Sequence, residues 1–241
     1  MATILNIETS TEVCSVVLAK DGKILFEKES TQGLSHSELL TVFIEELFAE
    51  NKLQMRILDA VAVSKGPGSY TGLRIGVSVA KGLCYALDIP LIAVGTLDAM
   101  GYYVCQNLNH TDNISNDNIL FCPMIDARRM EVYTALYNSK GENIKQVSAE
   151  IIDENSFSSF LKDHKVQFFG NGSAKCKSLL IHPNALFEGP SKTSARFMQN
   201  LAEKKYNTNE FENVAYFEPF YLKDFVATIP KNKILNKQAN N

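Results

Sequence analysis

No apolar run in this chain approaches the ~20 residues that a membrane-spanning helix needs. The opening Met1-Ala2-Thr3-Ile4-Leu5-Asn6-Ile7-Glu8 lacks the basic stretch of a secretory leader. Both absences point to a cytoplasmic protein without membrane contact. No C-x-x-C occurs among five scattered cysteines, Cys14, Cys84, Cys105, Cys122 and Cys176, an odd set that suits free thiols in a reducing compartment. The four histidines, His36, His110, His164 and His182, contain no H-x-x-x-H pair, so no metal site is expected. Excess basic charge is missing too: 24 Lys and Arg against 27 Asp and Glu leave a net charge of −3. That balance argues against a stand-alone nucleic-acid clamp working by counterion release, so RNA contact would come through a partner.

What is present suffices for a folded globule. The 241 residues are 45% hydrophobic and 21% charged, enough for one large domain or two smaller lobes. Thr3 to Glu8, Ser15 to Ala19 and Lys23 to Phe26 read as strands, the last two joined by the two-residue hairpin signal Asp21-Gly22. Ser35-His36-Ser37-Glu38 has capping-box spacing and opens a helix to about Glu50. That helix's apolar positions span a wider arc than one core-facing stripe requires. A buried strand over Asp59 to Ser64 follows, then a helix over Thr71 to Leu87, a strand over Ile89 to Val94 and a short helix over Leu97 to Gln106. Long apolar strands separated by helices imply an α/β protein with mixed sheets covered on both faces.

The Asn-rich stretch 107–118 is without periodicity and reads as a loop or linker between lobes at 1–106 and 119–222, with 223–241 as a tail. Beyond it the opening pattern returns. Ile7-Glu8 is echoed by Ile125-Asp126, and, with one residue inserted, Glu12-Val13 by Glu131-Val132, Ser15 by Thr134 and Gly22 by Gly141. An extended Ile144 to Ile152, a helix near Glu154 to Lys162, a strand Val166 to Phe169 and a Gly170-Asn171-Gly172-Ser173 turn complete a second lobe. In such a duplication Glu8 and Asp126 are equivalent strand ends meeting at a cleft. Two readings stand: the carboxylates hold Mg²⁺ of a nucleotide while the Gly170/Gly172 turn meets its phosphates, or they only cap loops.

Gly66-Pro67-Gly68-Ser69-Tyr70-Thr71-Gly72 joins a strand to a helix without the Lys of a Walker A loop. In the following helix Gly72, Gly76, Ala80 and Cys84 recur every four residues, leaving one face nearly free of bulk. Either the protein's own sheet or another subunit's helix fills that space. Gly76-Val77-Ser78-Val79-Ala80 nearly matches a nucleophile elbow but lies inside the helix, so Ser78 is not expected to be a nucleophile. Arg128-Arg129 either meets phosphate or forms rim charge.

Five segments taken together resemble the bacterial TsaB (YeaZ) family: Ile4 to Thr11, Lys65 to Gly76, Gly95-Thr96-Leu97-Asp98-Ala99, Ile125-Asp126-Ala127-Arg128 and Pro219 to Asp224. The resemblance runs through nearly the whole chain. It implies an actin-like, two-lobed ASKHA fold of ribonuclease H-like type. It also implies a role in making threonylcarbamoyladenosine (t6A) in tRNA, where the related TsaD transfers the threonylcarbamoyl group, TsaB is its dimerisation partner and the ATPase TsaE joins them. The superfamily's older glycoprotease label would instead imply a peptidase.

TsaD-like enzymes carry H-x-x-x-H where this chain has Thr96-Leu97-Asp98-Ala99-Met100, so the resemblance implies no catalytic residues and no metal here. The expected role is a non-catalytic scaffold that pairs with TsaD, with itself when TsaD is absent, and reaches tRNA through the complex. Its expected interface is Leu39, Phe43, Leu47, Gly72, Gly76 and Ala80. No cofactor is required for that role. The rival reading is an enzyme binding ATP or ADP with Mg²⁺ through Glu8, Thr9, Ser10, Asp126, Gly170 and Gly172, although Glu8 stands where the family commonly has Asp.

Overall fold

A computed structural model describes residues 2–32, 36–108 and 118–223. The Ser35 cap, the core of the Asn-rich stretch and the tail beyond Lys223 lie outside the described residues. The N-terminal sheet contains β1 (Thr3–Glu8), β2 (Cys14–Lys20), β3 (Lys23–Ser30), β4 (Ala60–Gly66) and β5 (Leu91–Gly95) in the order β3-β2-β1-β4-β5. The C-terminal sheet contains β6 (Ile119–Asp126), β7 (Glu131–Tyr137), β8 (Asn143–Ile151), β9 (Lys165–Phe169) and β10 (Ala185–Leu186) in the order β10-β9-β6-β7-β8. Read outward from the first strand of each, the two orders coincide: two antiparallel neighbours on one side, parallel strands on the other.

Local chemistry explains the joints. Asp21 and Gly22 adopt φ 53° and 69°, the left-handed pair that lets a two-residue turn follow the twist of β2 and β3. The Ser69 hydroxyl accepts the Gly72 N–H and starts α2 (Tyr70–Leu87), which ends at Asp88 in left-handed conformation. Side-chain alternation then sorts the layers. Leu5 and Ile7 of β1 face α1 (His36–Glu50) and α2, whereas Ile4 faces α3 (Thr96–Leu108) and α6 (Gln199–Asn207). The same central layer receives Phe121, Ile125 and Tyr137 of the second sheet. That sheet's other face is covered by α4 (Ser158–Asp163) and α5 (Ser173–Cys176). Helices and sheets therefore alternate, the central strands of each sheet buried on both faces and the outer antiparallel strands β3 and β8 more open, in the duplicated α/β architecture of the actin-like type.

A C-terminal strap, without helical or strand periodicity, returns over the N-terminal sheet. The Glu212 N–H donates to the Leu91 carbonyl at 2.8 Å, covering the β5 edge. The Lys81 ammonium donates to the Ala215 and Phe217 carbonyls, each at 3.1 Å. The Phe220 N–H donates to the Lys65 carbonyl at 2.7 Å, and Lys223 pairs with Glu131 of the other sheet. Among the described residues no helix is long and apolar enough to cross a membrane.

Candidate functional site

The loop leaving β1 decides what the glycine block does. The Thr9 hydroxyl donates to the Gly72 carbonyl at 2.8 Å, and the Ser69 N–H donates to the Ser10 carbonyl at 2.6 Å. A Cβ on Gly68 would lie 2.2 Å from the Ser10 carbonyl oxygen, one on Gly72 2.1 Å from that of Thr9, and one on Gly76 2.3 Å from the Thr9 hydroxyl. No Cβ survives at such distances. The four-residue spacing of these glycines is thus the imprint of the Thr9-Ser10 loop nested against the start of α2.

This corrects the expected interface. Gly72, Gly76 and Ala80 are buried inside the N-terminal half, and Leu47, 1% exposed, belongs to the same core. None of the four presents a surface to a second protein. Leu39 and Phe43 are half-buried, packed at the margin of that core. The exposed line of α2 is a different stripe, Ser78, Gly82 and Ala86, again at helical spacing, flanked by Ile75, Val79 and Leu83, which are half-buried at the margin of the same core. Among the described residues no atom lies within 4 Å of where a Gly82 side chain would begin. Among the 18 residues of α2 the charged ones are Arg74 and Lys81, and both are turned to the strap. Tyr85, on the same side of α2, is 86% exposed.

The nucleotide arrangement is corrected as well. Glu8 is 1% exposed, roofed by its own loop, with the Ser10 N–H donating to its Oε1 at 2.6 Å. Burial pushes its carboxyl above the ordinary value, and hydrogen bonds to Ser10 and Ser64 oppose that rise. Thr9 is spent on Gly72, while Ser10, buried above Glu8, lines the cleft between the two halves. Across that cleft of about 590 Å³, Asp126 accepts from Lys175 and, at 2.7 Å, from the Arg128 N–H. Asn171 ties the halves together, donating to Glu12 at 3.0 Å and accepting from the Asp126 N–H at 3.0 Å. Glu8 and Asp126 therefore do not form an open carboxylate pair. A Cβ on Gly170 would lie 2.2 Å from the Met124 carbonyl oxygen, and one on Gly172 2.9 Å from the Ile125 carbonyl carbon, so both glycines serve contact with β6. The α5 that follows has four residues, too short for a useful helix dipole. Glu8 is thus closed off from the cleft, while Asp126 stays on its rim, paired with Lys175.

Comparison with known proteins accords with this architecture. Residues 24–231 match the family model of TsaD, described as tRNA N6-adenosine threonylcarbamoyltransferase. The tRNA threonylcarbamoyladenosine biosynthesis protein TsaB of Bacillus subtilis is 33% identical over 184 residues, 74% of this chain and 75% of that protein. This chain belongs to the TsaB family. The TsaB of Haemophilus influenzae is 28% identical over 233 residues, covering 93% of this chain and 94% of its own. Among solved structures, YeaZ from Pseudomonas aeruginosa superposes with a TM-score of 0.72 at 26% identity, over 92% of this chain and all of that one (100%).

Within this TsaB-family chain, the positions at which TsaD-like enzymes are expected to carry paired histidines hold Thr96 and Met100, both at 1% exposure on the first turns of α3. Among the described residues no group of three or more His, Cys, Asp or Glu is placed to hold a metal. Ser78 lies on the outward stripe of α2 and makes no nucleophile site. His36 is buried with Nε2 3.1 Å from the Val13 carbonyl, fixing the entry to β2. The sequence marks Tyr221 and Lys223 only as part of the family-like Pro219 to Asp224 segment; their contacts with Arg74 and Glu131 were not legible because those partners lie far away in the chain.

Proposed function

We propose that this protein is a docking subunit of a tRNA threonylcarbamoyladenosine-forming assembly and carries none of the transfer chemistry itself. It presents the outer face of α1 and α2, with Leu39 and Phe43 on α1 and Val79, Gly82 and Leu83 on α2, to the corresponding helices of a TsaD partner, and pairs with a second copy when TsaD is absent. TsaE completes the assembly, tRNA is reached through it, and the subunit needs no nucleotide of its own. The observation that carries this reading is the outward stripe of α2. A helix apolar on both faces is normally covered on both, and an exposed Gly82 costs about 1 kcal/mol against Ala, with no contact among the described residues to offset it. Two helices approaching there would form the centre of an interface of about 1,600 Å².

The test is co-purification with the cognate TsaD and TsaE, followed by assay of modified tRNA with each component left out and with a Val79→Asp, Leu83→Asp variant. The variant is expected to keep its fold, lose pairing and abolish modification. Unimpaired pairing, or modification by this chain alone, would overturn the reading.

A further inference from the structure

The turn between β6 and β7 is built from the wrong residues for a turn. Arg128 and Arg129 are consecutive, with φ 72° and 50°, and the turn is closed by the Glu131 N–H on the Arg128 carbonyl and the Ala127 N–H on the Glu131 carbonyl, each at 3.1 Å. Two left-handed residues in succession favour Asn and Gly, as the Asp21-Gly22 turn of the first half illustrates. Arginine there is strained. Folding alone gives no reason for it, and both side chains are exposed.

The neighbouring acids are engaged elsewhere: Asp126 holds Lys175 and the Arg128 backbone, Glu131 holds Lys223, and Glu12 holds Asn171. No carboxylate is bonded to either guanidinium among the described residues. Arg128 shares the cleft rim with Lys223 and with the rings of Tyr70, Tyr133 and Tyr221. On the same side Arg74 stacks on Tyr70, its guanidinium carbon 4.1 Å from the ring centre, and donates to the Tyr221 hydroxyl at 3.1 Å. In a chain of net charge −3, this is a local concentration of cations and aromatic rings on one rim.

We infer that the Arg128–Arg129 turn binds phosphate groups of an RNA backbone as it passes the cleft mouth. The inference rests on the proposed membership of a tRNA-modifying assembly and adds the surface by which this subunit touches the nucleic acid. Guanidinium matches phosphate in shape and charge. Two fully hydrated guanidinia hold a single small anion poorly, whereas a polyanion that releases condensed counterions gains at each contact. A rigid turn fixes the two charges without the ordering that a flexible arm requires.

The experiment measures tRNA binding by fluorescence anisotropy across a salt series, using the assembly with TsaD and TsaE and checking its integrity by gel filtration. Arg128→Asn combined with Arg129→Gly restores favourable turn residues. It is expected to raise the unfolding temperature while weakening tRNA binding about tenfold and reducing the salt slope by about one to two. Arg128→Lys with Arg129→Lys is expected to retain most of the affinity. An intact assembly whose tRNA affinity and salt slope are unchanged in the Asn–Gly variant overturns this inference and leaves the docking role standing. Failure of the parent assembly to form overturns the docking role. Displacement from the turn by inorganic triphosphate as effectively as by tRNA, judged by loss of the competition in the Asn–Gly variant, assigns the site to a small anion and also overturns the inference.

Discussion

Thr9 and Gly76 touch so closely that the hydroxyl of one occupies the place where a side chain of the other would begin, 2.3 Å from an ideal Cβ. The contact joins the loop after the first strand to the middle of α2 and fixes which face of that helix looks inward.

Gly76→Ala is therefore expected to destabilise the fold by about 2 kcal/mol, the usual cost of forcing an extra methyl into a packed site. Denaturant unfolding measures it. A Gly76→Ala protein as stable as the parent would mean that the loop yields without strain.

Gly82 gives the opposite expectation, since no described residue crowds it. Gly82→Ala is expected to raise helix stability by about 1 kcal/mol. Gly82→Leu keeps the fold and weakens self-association about a hundredfold, read by sedimentation equilibrium with circular dichroism as the folding control. Unchanged association in Gly82→Leu would remove this face from the interface.

Glu8 supplies a pH dependence. Its folded-state carboxyl titrates above the ordinary value because burial disfavours the charge. The native state then holds a proton that the unfolded chain releases, so stability falls as pH rises from the unfolded value near 4.5 towards the raised folded one. Glu8→Gln is expected to stabilise the protein at pH 7 and to lose that advantage below pH about 4. Thermal unfolding across pH checks it; an equal effect at both ends would assign the gain to packing.

The strap is expected to loosen when its clamp is removed. Arg74→Ala deletes the stacking on Tyr70 and the bond to Tyr221, worth about 1 kcal/mol at an exposed site. Amide exchange at Phe220 should accelerate severalfold while that of β1 stays unchanged. Equal exchange in both proteins would show that the Lys65–Phe220 and Lys81 bonds hold the strap alone.

Calorimetric titration with ATP and Mg²⁺ is expected to give no saturable heat, because Glu8 is roofed and Asp126 is bound to Lys175. Tight binding that disappears in Asp126→Ala would restore the nucleotide reading.

Much of the architecture was legible because its signals are local. The Asp21-Gly22 turn, the Ser69 cap and the long apolar strands each mark their element within a few residues, and Ile7-Glu8 with Ile125-Asp126 marks equivalent strand ends. The echo of Ser15 by Thr134 was less sound: the ladders set Ser15 opposite Glu8 and Val132 opposite Asp126, a shift of two residues. The orientation of α2 was not legible. Its stripes at Gly72, Gly76, Ala80 and at Ser78, Gly82, Ala86 are equally free of bulk, and the deciding contact with Thr9 spans 63 residues of chain. For the same reason Leu47 and Leu39, both apolar on α1, could not be divided into core and margin from periodicity. The two-residue β10 and the course of the strap were not legible because neither carries a periodic pattern.

The crossing of the strap onto β5 binds the fate of the two halves. A polypeptide truncated before Glu212 would leave the Leu91 carbonyl bare, strip Val214 and Phe217 from the grease beneath them and offer a raw sheet margin to any passing strand. Premature termination or proteolytic clipping at that point is thus expected to yield an aggregation-prone fragment, so that the soundness of the first-made half is decided only when residues 212–223 have been added.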